Sequence, residues 1–301
     1  MTTSPSPRIA AGVADGRLLF GGQSAAGDMG DSWIFTRLND GSTAWTPVTA
    51  TGPSARHGHN LETISIPNGP NGFAGQTVLF GGSNGTGYLG DTWTFGGSGA
   101  PLPTDTWQNR STTGPSGREF AASAADRTNR NWVLFGGRNG SGSLGDTWLW
   151  NGSHWAQQSP TTVPPPRDSA FLGAIFNQQG ITGLVLFGGR AGATVLGDTW
   201  VWNGSTWTQK FVTGPSPRYG AAKAGTWNNL MIGGNSGTGV LGDQWKFDGT
   251  AWVQVSGKGP AAREFAASDG AHLFGGRSGT TLRDDTNELT YPIPPCPSPC
   301  V

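Results

Sequence analysis

Residues 186 to 207 read Leu186-Phe187-Gly188-Gly189-Arg190-Ala191-Gly192-Ala193-Thr194-Val195-Leu196-Gly197-Asp198-Thr199-Trp200-Val201-Trp202-Asn203-Gly204-Ser205-Thr206-Trp207. A short apolar run ends in paired glycines, as in a strand buried on both faces. Asp198 then opens a segment that alternates aromatic and aliphatic with other residues, and Asn203-Gly204 marks a turn before a second tryptophan. The pattern recurs along the whole chain. Leu-Phe-Gly-Gly or a near variant has its first glycine at Gly21, Gly81, Gly136, Gly188, Gly233 and Gly275, and an aspartate follows ten residues later each time, at Asp31, Asp91, Asp146, Asp198, Asp243 and Asp285. Two residues beyond stands Trp33, Trp93, Trp148, Trp200 or Trp245, replaced in the last copy by Asn287. A second tryptophan (Trp45, Trp107, Trp155, Trp207, Trp252) precedes an arginine by 11 or 12 residues (Arg56, Arg118, Arg167, Arg218, Arg263), and each arginine, like Arg8, has a proline three residues before it.

Each unit therefore reads as four strands. The first follows the arginine, as in Glu119-Phe120-Ala121-Ala122-Ser123, the second ends in Gly-Gly, the third starts at the aspartate and the fourth carries the second tryptophan. Asn151-Gly152, Asn203-Gly204, Asp248-Gly249 and Asp40-Gly41 suggest two-residue hairpin turns between strands three and four. Six such sheets bury both faces by packing around a ring, which predicts an all-β, six-bladed propeller. The expected organisation is one propeller over residues 1–291, with units starting near Arg8, Arg56, Arg118, Arg167, Arg218 and Arg263, followed by a Pro- and Cys-rich tail over 292–301.

Composition agrees with this architecture. Glycine makes up 51 of 301 residues, about 17 % where an ordinary domain has about 7 %. The 19 basic and 19 acidic side chains balance, which argues against a nucleic-acid partner because none of the required basic excess is present. No apolar run approaches the roughly 20 residues of a membrane-spanning helix.

Gly-Gly, an aspartate ten residues on, a later tryptophan and then Pro-x-x-Arg resemble the kelch repeat, from about Pro5 to Tyr291. The Leu-Gly-Asp-Thr-Trp and Asn-Gly-Ser wording resembles bacterial kelch proteins of the extracellular type. The resemblance implies a propeller used for partner binding or for small-molecule chemistry, a choice that the fold leaves open. In kelch modules that grip peptides, the residues after the repeated arginine and after Gly-Gly surround the mouth of the central channel. Here the first set is Ile9, His57, Glu119, Asp168, Tyr219 and Glu264, and the second is Gln23, Ser83, Arg138, Arg190, Asn235 and Arg277. Such a ring suits a polar ligand with acidic and hydroxyl groups, a carbohydrate or a peptide. Arg118 to Ser123 repeats in Arg263 to Ser268 residue for residue, so Glu119/Arg138 is expected to face Glu264/Arg277 across the mouth.

Enzyme readings rest on few residues. Glu119, Glu264 and Tyr219 are candidate acid–base groups for a lyase or epimerase. Copper chemistry of the galactose-oxidase kind has no support, because the only cysteines are Cys296 and Cys300 in the tail. His57 and His59 alternate along the expected first strand and offer two ligands on one side for a metal, with no third in view. No cofactor is indicated. Ten of the 14 tryptophans stand at repeat positions and are expected to pack between blades, while Trp132, Trp150, Trp202 and Trp227 either pack or form sugar-stacking platforms.

The sixth unit lacks a second tryptophan, so the last blade is expected to be three-stranded or to gain a stunted strand from Thr2 to Ser4. A bare edge raises a third reading, self-association through that blade. The sparse charge and the Cys296-Cys300 pair fit a secreted or cell-surface protein whose leader is absent from this sequence.

Overall fold

The computed structural model describes residues 4–14, 17–37, 42–67, 73–96, 106–110, 113–177, 180–225, 228–256 and 259–289. All regular structure among them is β. Six antiparallel sheets follow one another along the chain, each a simple meander. Blade 3, for example, comprises Ala122–Asp126, Asn131–Phe135, Thr147–Trp150 and Trp155–Gln158. Blades 1 to 5 have four strands, and blade 6 has three among the described residues, Ala267–Ser268, His272–Phe274 and Thr286–Glu288. The first strand of every blade touches the first strands of both neighbours, blade 6 closing on blade 1. The result is a six-bladed β-propeller. Trp227, Tyr291, Cys296, Cys300 and the turn Asp40-Gly41 lie outside the described residues, as do Thr2 and Thr3.

The repeated residues form two sets of internal fastenings. Within a blade, the arginine is 1–3 % exposed and grips the aspartate through both carboxylate oxygens at 2.5–2.9 Å. Its Nη1 also donates to the carbonyl of the first glycine, as Arg118 does to Gly136 at 3.0 Å. The nearby indole N–H donates to the same aspartate at 2.5–2.7 Å, and in blade 6 Asn287 Nδ2 takes that role at 2.8 Å. Burial opposes ionisation of these carboxyls, but the hydrogen bonds from the arginine and from the indole, or from Asn287 in blade 6, outweigh it and hold all six below the ordinary carboxylate range.

Between blades, the second tryptophan reaches back one blade. Trp107 donates to Ser32, Trp155 to Thr92, Trp207 to Thr147 and Trp252 to Thr199 at 2.9–3.0 Å, and Trp45 reaches Thr286 of blade 6 at 3.4 Å. At the remaining boundary Gln244 stands where the other blades have Ser or Thr, and no indole meets it among the described residues. Trp132, Trp150 and Trp202 are fully buried against these interface tryptophans, so none of the three is a sugar platform. The turns between strands three and four also differ from expectation. Trp150 pairs with Trp155, and Asn151 N–H donates to His154 O, so the loop holds four residues. The Asn151 side-chain oxygen accepts from the amides of Ser153 and His154, and only Gly152 needs a positive φ.

Gly-Gly is needed where one blade meets the next. A Cβ at Gly136 would collide with the carbonyl oxygen of Arg167, which the Gly137 amide binds at 2.9 Å. The first strand begins later than the sequence suggests, at Ala122 rather than Glu119, because the chain turns through a left-handed conformation at Phe120 (φ 53°). Ala10, Gly58, Ser169, Gly220 and Phe265 share that conformation at the matching positions. Their amides and carbonyls join successive blades: Gly58 N donates to Ala10 O, Phe120 to Gly58, Ser169 to Phe120, Gly220 to Ser169, Phe265 to Gly220 and Ala10 to Phe265, at 2.7–3.0 Å. This belt closes on itself at one end of the channel.

Among the described residues, contacts between opposite blades cross the channel at two levels. Phe120 and Phe265 meet with ring centroids 5.1 Å apart at the belt. Deeper in, Lys223 of blade 5 pairs with Glu62 of blade 2, which also accepts from Asn228 at 2.9 Å. A cavity of about 160 Å³ lies within the channel, lined by the first strands, the two phenylalanines and Lys223.

Candidate functional site

The belt end of the channel is where the sequence places its candidate ring, and the backbone brings the two sets together. Ile9 bridges to Gln23, His57 to Ser83, Glu119 to Arg138, Asp168 to Arg190, Tyr219 to Asn235 and Glu264 to Arg277. Short fingers rise from these bridges, such as Arg138–Asn139 paired with Gly142–Ser143. Each Gly-Gly pair thus launches a finger whose first residue lies against the residue after the arginine.

In blades 3, 4 and 6 the two facing rim side chains form an ion pair. Glu119 Oε1 accepts from Arg138 at 2.7–2.8 Å, Asp168 from Arg190 at 2.9 Å and Glu264 from Arg277 at 2.5–2.9 Å. The three carboxylates are buried, whereas Arg138 and Arg277 keep over a third of their side-chain surface exposed. The arginines are therefore aimed by their partners and open to a ligand on the other side. Asn235 is turned inward on its own finger, its side-chain oxygen accepting from the Gly237 amide at 2.7 Å.

His57 links three blades. Its Nδ1 lies 2.7 Å from Asp28 of blade 1, and its Nε2 lies 3.1 Å from Glu119 Oε2 of blade 3. Burial works against a charge on this ring, but the Glu119 contact and the attraction of both carboxylates outweigh it and raise the imidazole above its ordinary value. Glu119 is correspondingly lowered: its burial is outweighed by His57 and Arg138. Gln23 completes the run by donating to Asp28 at 3.1 Å.

His57 and His59 do not share a side. Gly58 has φ 63° and breaks the expected alternation, so His57 faces the rim while His59 is buried with its ring 5.3 Å from Phe20. Burial and the nearby Arg56 lower His59 to about 3, so it stays neutral. A metal pair at these positions is thereby corrected, and no group of three or more His, Cys, Asp or Glu is placed to hold a metal among the described residues.

The sequence reading missed the aromatic floor and Asp28. Arg138 lies over Phe120 at 5.3 Å, Phe120 meets Phe265 at 5.1 Å, Phe265 meets Tyr219 at 5.9 Å, and Arg190 lies over Tyr219 at 5.0 Å. These five side chains span the mouth as one stack, with a guanidinium at each end. The duplicated Arg-Glu-Phe-Ala-Ala-Ser segment carried that signal. Asp28 had only its position seven residues beyond Gly21, where Ser143 of blade 3 likewise reaches forward, to Asp168, at 3.4 Å.

No family model matches the chain. An F-box/kelch-repeat protein of Arabidopsis thaliana is 30% identical over 211 residues, 63% of this chain. The solved structure of YjhT is similar in fold, with a TM-score of 0.66 over 94% of this chain and 95% of that one at 14% identity. The chain is a kelch-repeat β-propeller. It spans 40% of the length of the plant relative. No helix among the described residues is long and apolar enough to cross a membrane.

Proposed function

We propose that the belt-end mouth of this kelch propeller is a recognition site for a peptide segment of a partner protein. The observation that carries this is the aromatic stack running from Arg138 through Phe120, Phe265 and Tyr219 to Arg190. It offers an apolar floor of tilted rings, flanked by guanidinium groups whose outer faces remain available, which suits a backbone with mixed side chains. A carbohydrate stacked on the same floor is the competing ligand.

The charge states favour recognition over acid–base catalysis at two of the three candidates. Glu119 is held ionised by His57 and Arg138 and is a poor proton donor near neutrality. Tyr219 is raised by burial and by Glu264, away from the range of a general base. An exterior location belongs to the same proposal and rests on the sparse charge of the chain.

A peptide array and a glycan array, each probed with the wild-type chain and with Arg138→Ala/Arg190→Ala, test the reading. Selective peptide capture that falls at least about tenfold in the variant is expected. Capture of glycans alone, or peptide capture indifferent to the variant, overturns it. Self-association is a separate proposal, favoured by the edge that Thr286–Glu288 presents among the described residues. A mass that stays monomeric across a concentration series would sink it.

A further inference from the structure

Phe120 and Phe265 stand on opposite blades in identical hexapeptides, so the two halves of the mouth can be compared position by position. One half runs Asp28, His57, Glu119, Arg138. Three blades on, the matching places hold Val195, Tyr219, Glu264 and Arg277; Val195 is seven residues beyond Gly188, as Asp28 is beyond Gly21. Both glutamates give Oε1 to the arginine of their own finger. The surroundings of their second oxygens differ. Neither second oxygen makes a hydrogen bond among the described residues, but Glu119 Oε2 stands in ion-pair contact with the His57 ring, 3.1 Å from Nε2, whereas Glu264, only 2 % exposed, has Tyr219 in the place of that imidazole.

A buried carboxylate oxygen without a donor is costly, and the twin half shows what relieves it. There the His57 imidazole faces the oxygen at 3.1 Å, supplied by the residue one blade back. Here that residue is Tyr219, whose ring is engaged by Phe265 and Arg190. We propose that the ligand supplies the missing donor: a basic side chain, guanidinium or ammonium, docks on Glu264 Oε2 beside Tyr219 in the place that the imidazole occupies in the other half. Val195 in the place of Asp28 gives the group no second carboxylate, and with Tyr219 it presents apolar surface to the methylene stem of such a side chain. This rests on the mouth being a recognition site and narrows its ligand to a peptide bearing Lys or Arg.

The test is titration of the full chain with N-acetyl-arginine amide and with its neutral isostere N-acetyl-citrulline amide, followed by NMR. Saturable binding of the arginine compound is expected, at least about tenfold tighter than the citrulline compound, and weakened about tenfold by Glu264→Gln. Should Glu264→Gln fold poorly, Tyr219→His serves instead: it supplies an internal imidazole and is expected to weaken the arginine compound to a similar degree. Equal affinity for both compounds, no saturable binding of either, or binding unaffected by both variants overturns the assignment. Array peptides captured at the mouth without enrichment in Lys or Arg would overturn it too and leave peptide recognition standing. An array that captures no peptide overturns the recognition reading itself.

Discussion

Arg118 and Glu119 are consecutive residues, and they stand for two regions of the rim that differ in how completely they are satisfied. The arginine is the same in every unit, and its guanidinium is fully used by Asp146, Gly136 and the Ser116 carbonyl. The next position changes from blade to blade, and beyond the arginine of its own finger its partners come from other blades or are missing. A group whose every donor is matched inside its own blade fixes a sheet and has nothing left for a ligand. A group completed from outside its blade, or left incomplete like Glu264, is where recognition is built.

The largest expected effect breaks that division if it fails. Arg118→Ala strands a buried carbonyl and the Asp146 carboxylate, and is expected to cost about 3–5 kcal/mol in denaturant unfolding. Arg138→Ala, on the rim, is expected to cost about 1–2 kcal/mol because Glu119 keeps His57. Equal losses would show that the two regions do not differ. At the blade boundaries, Trp207→Phe removes one buried hydrogen bond, to Thr147, and is expected to cost about 1–2 kcal/mol by the same measurement.

The pH dependence of stability sharpens the comparison further. His59 has a folded value lowered to about 3 against 6.5 unperturbed, so the stability tied to its neutral form is present above 6.5 and lost as pH falls. The six clamp aspartates are also lowered, so their contribution persists to lower pH and is lost only as pH falls below about 3.8. His57 is raised, so its contribution is complete below 6.5 and lost as pH rises through its folded value. His59→Phe should therefore flatten the unfolding free energy between about pH 6.5 and 4 and leave the steeper acid limb in place. The smallest expected effect is local: Asp28→Asn should lower the NMR titration midpoint of His57, and an unchanged midpoint would exclude Asp28 as a source of the shift.

The blade count, the ring and the backbone pairing of rim positions were legible in the sequence, because near-invariant spacing transmits a repeated geometry directly. Even the exception at Asn287 is explained, since its amide donates to Asp285 where the other blades use an indole. The left-handed turn at Phe120 was hidden, because Gly58 and Gly220 advertise that conformation while Ala10, Ser169 and the two phenylalanines do not. The Asp28–His57–Glu119 run was hidden for another reason: each member comes from a different unit, and a repeat frame compares units without showing what lies between them. The same holds for Lys223 and Glu62, which are 161 residues apart in the chain.

The belt of six amides and carbonyls works as a hoop. A row of hydrogen bonds with two ends frays from either one, but a row without ends has no outermost member to lose first. Ala10, Gly58, Phe120, Ser169, Gly220 and Phe265 should then exchange their amide protons together and slowly, although they encircle an opening. A ligand seated on that hoop would press on all six blades at once.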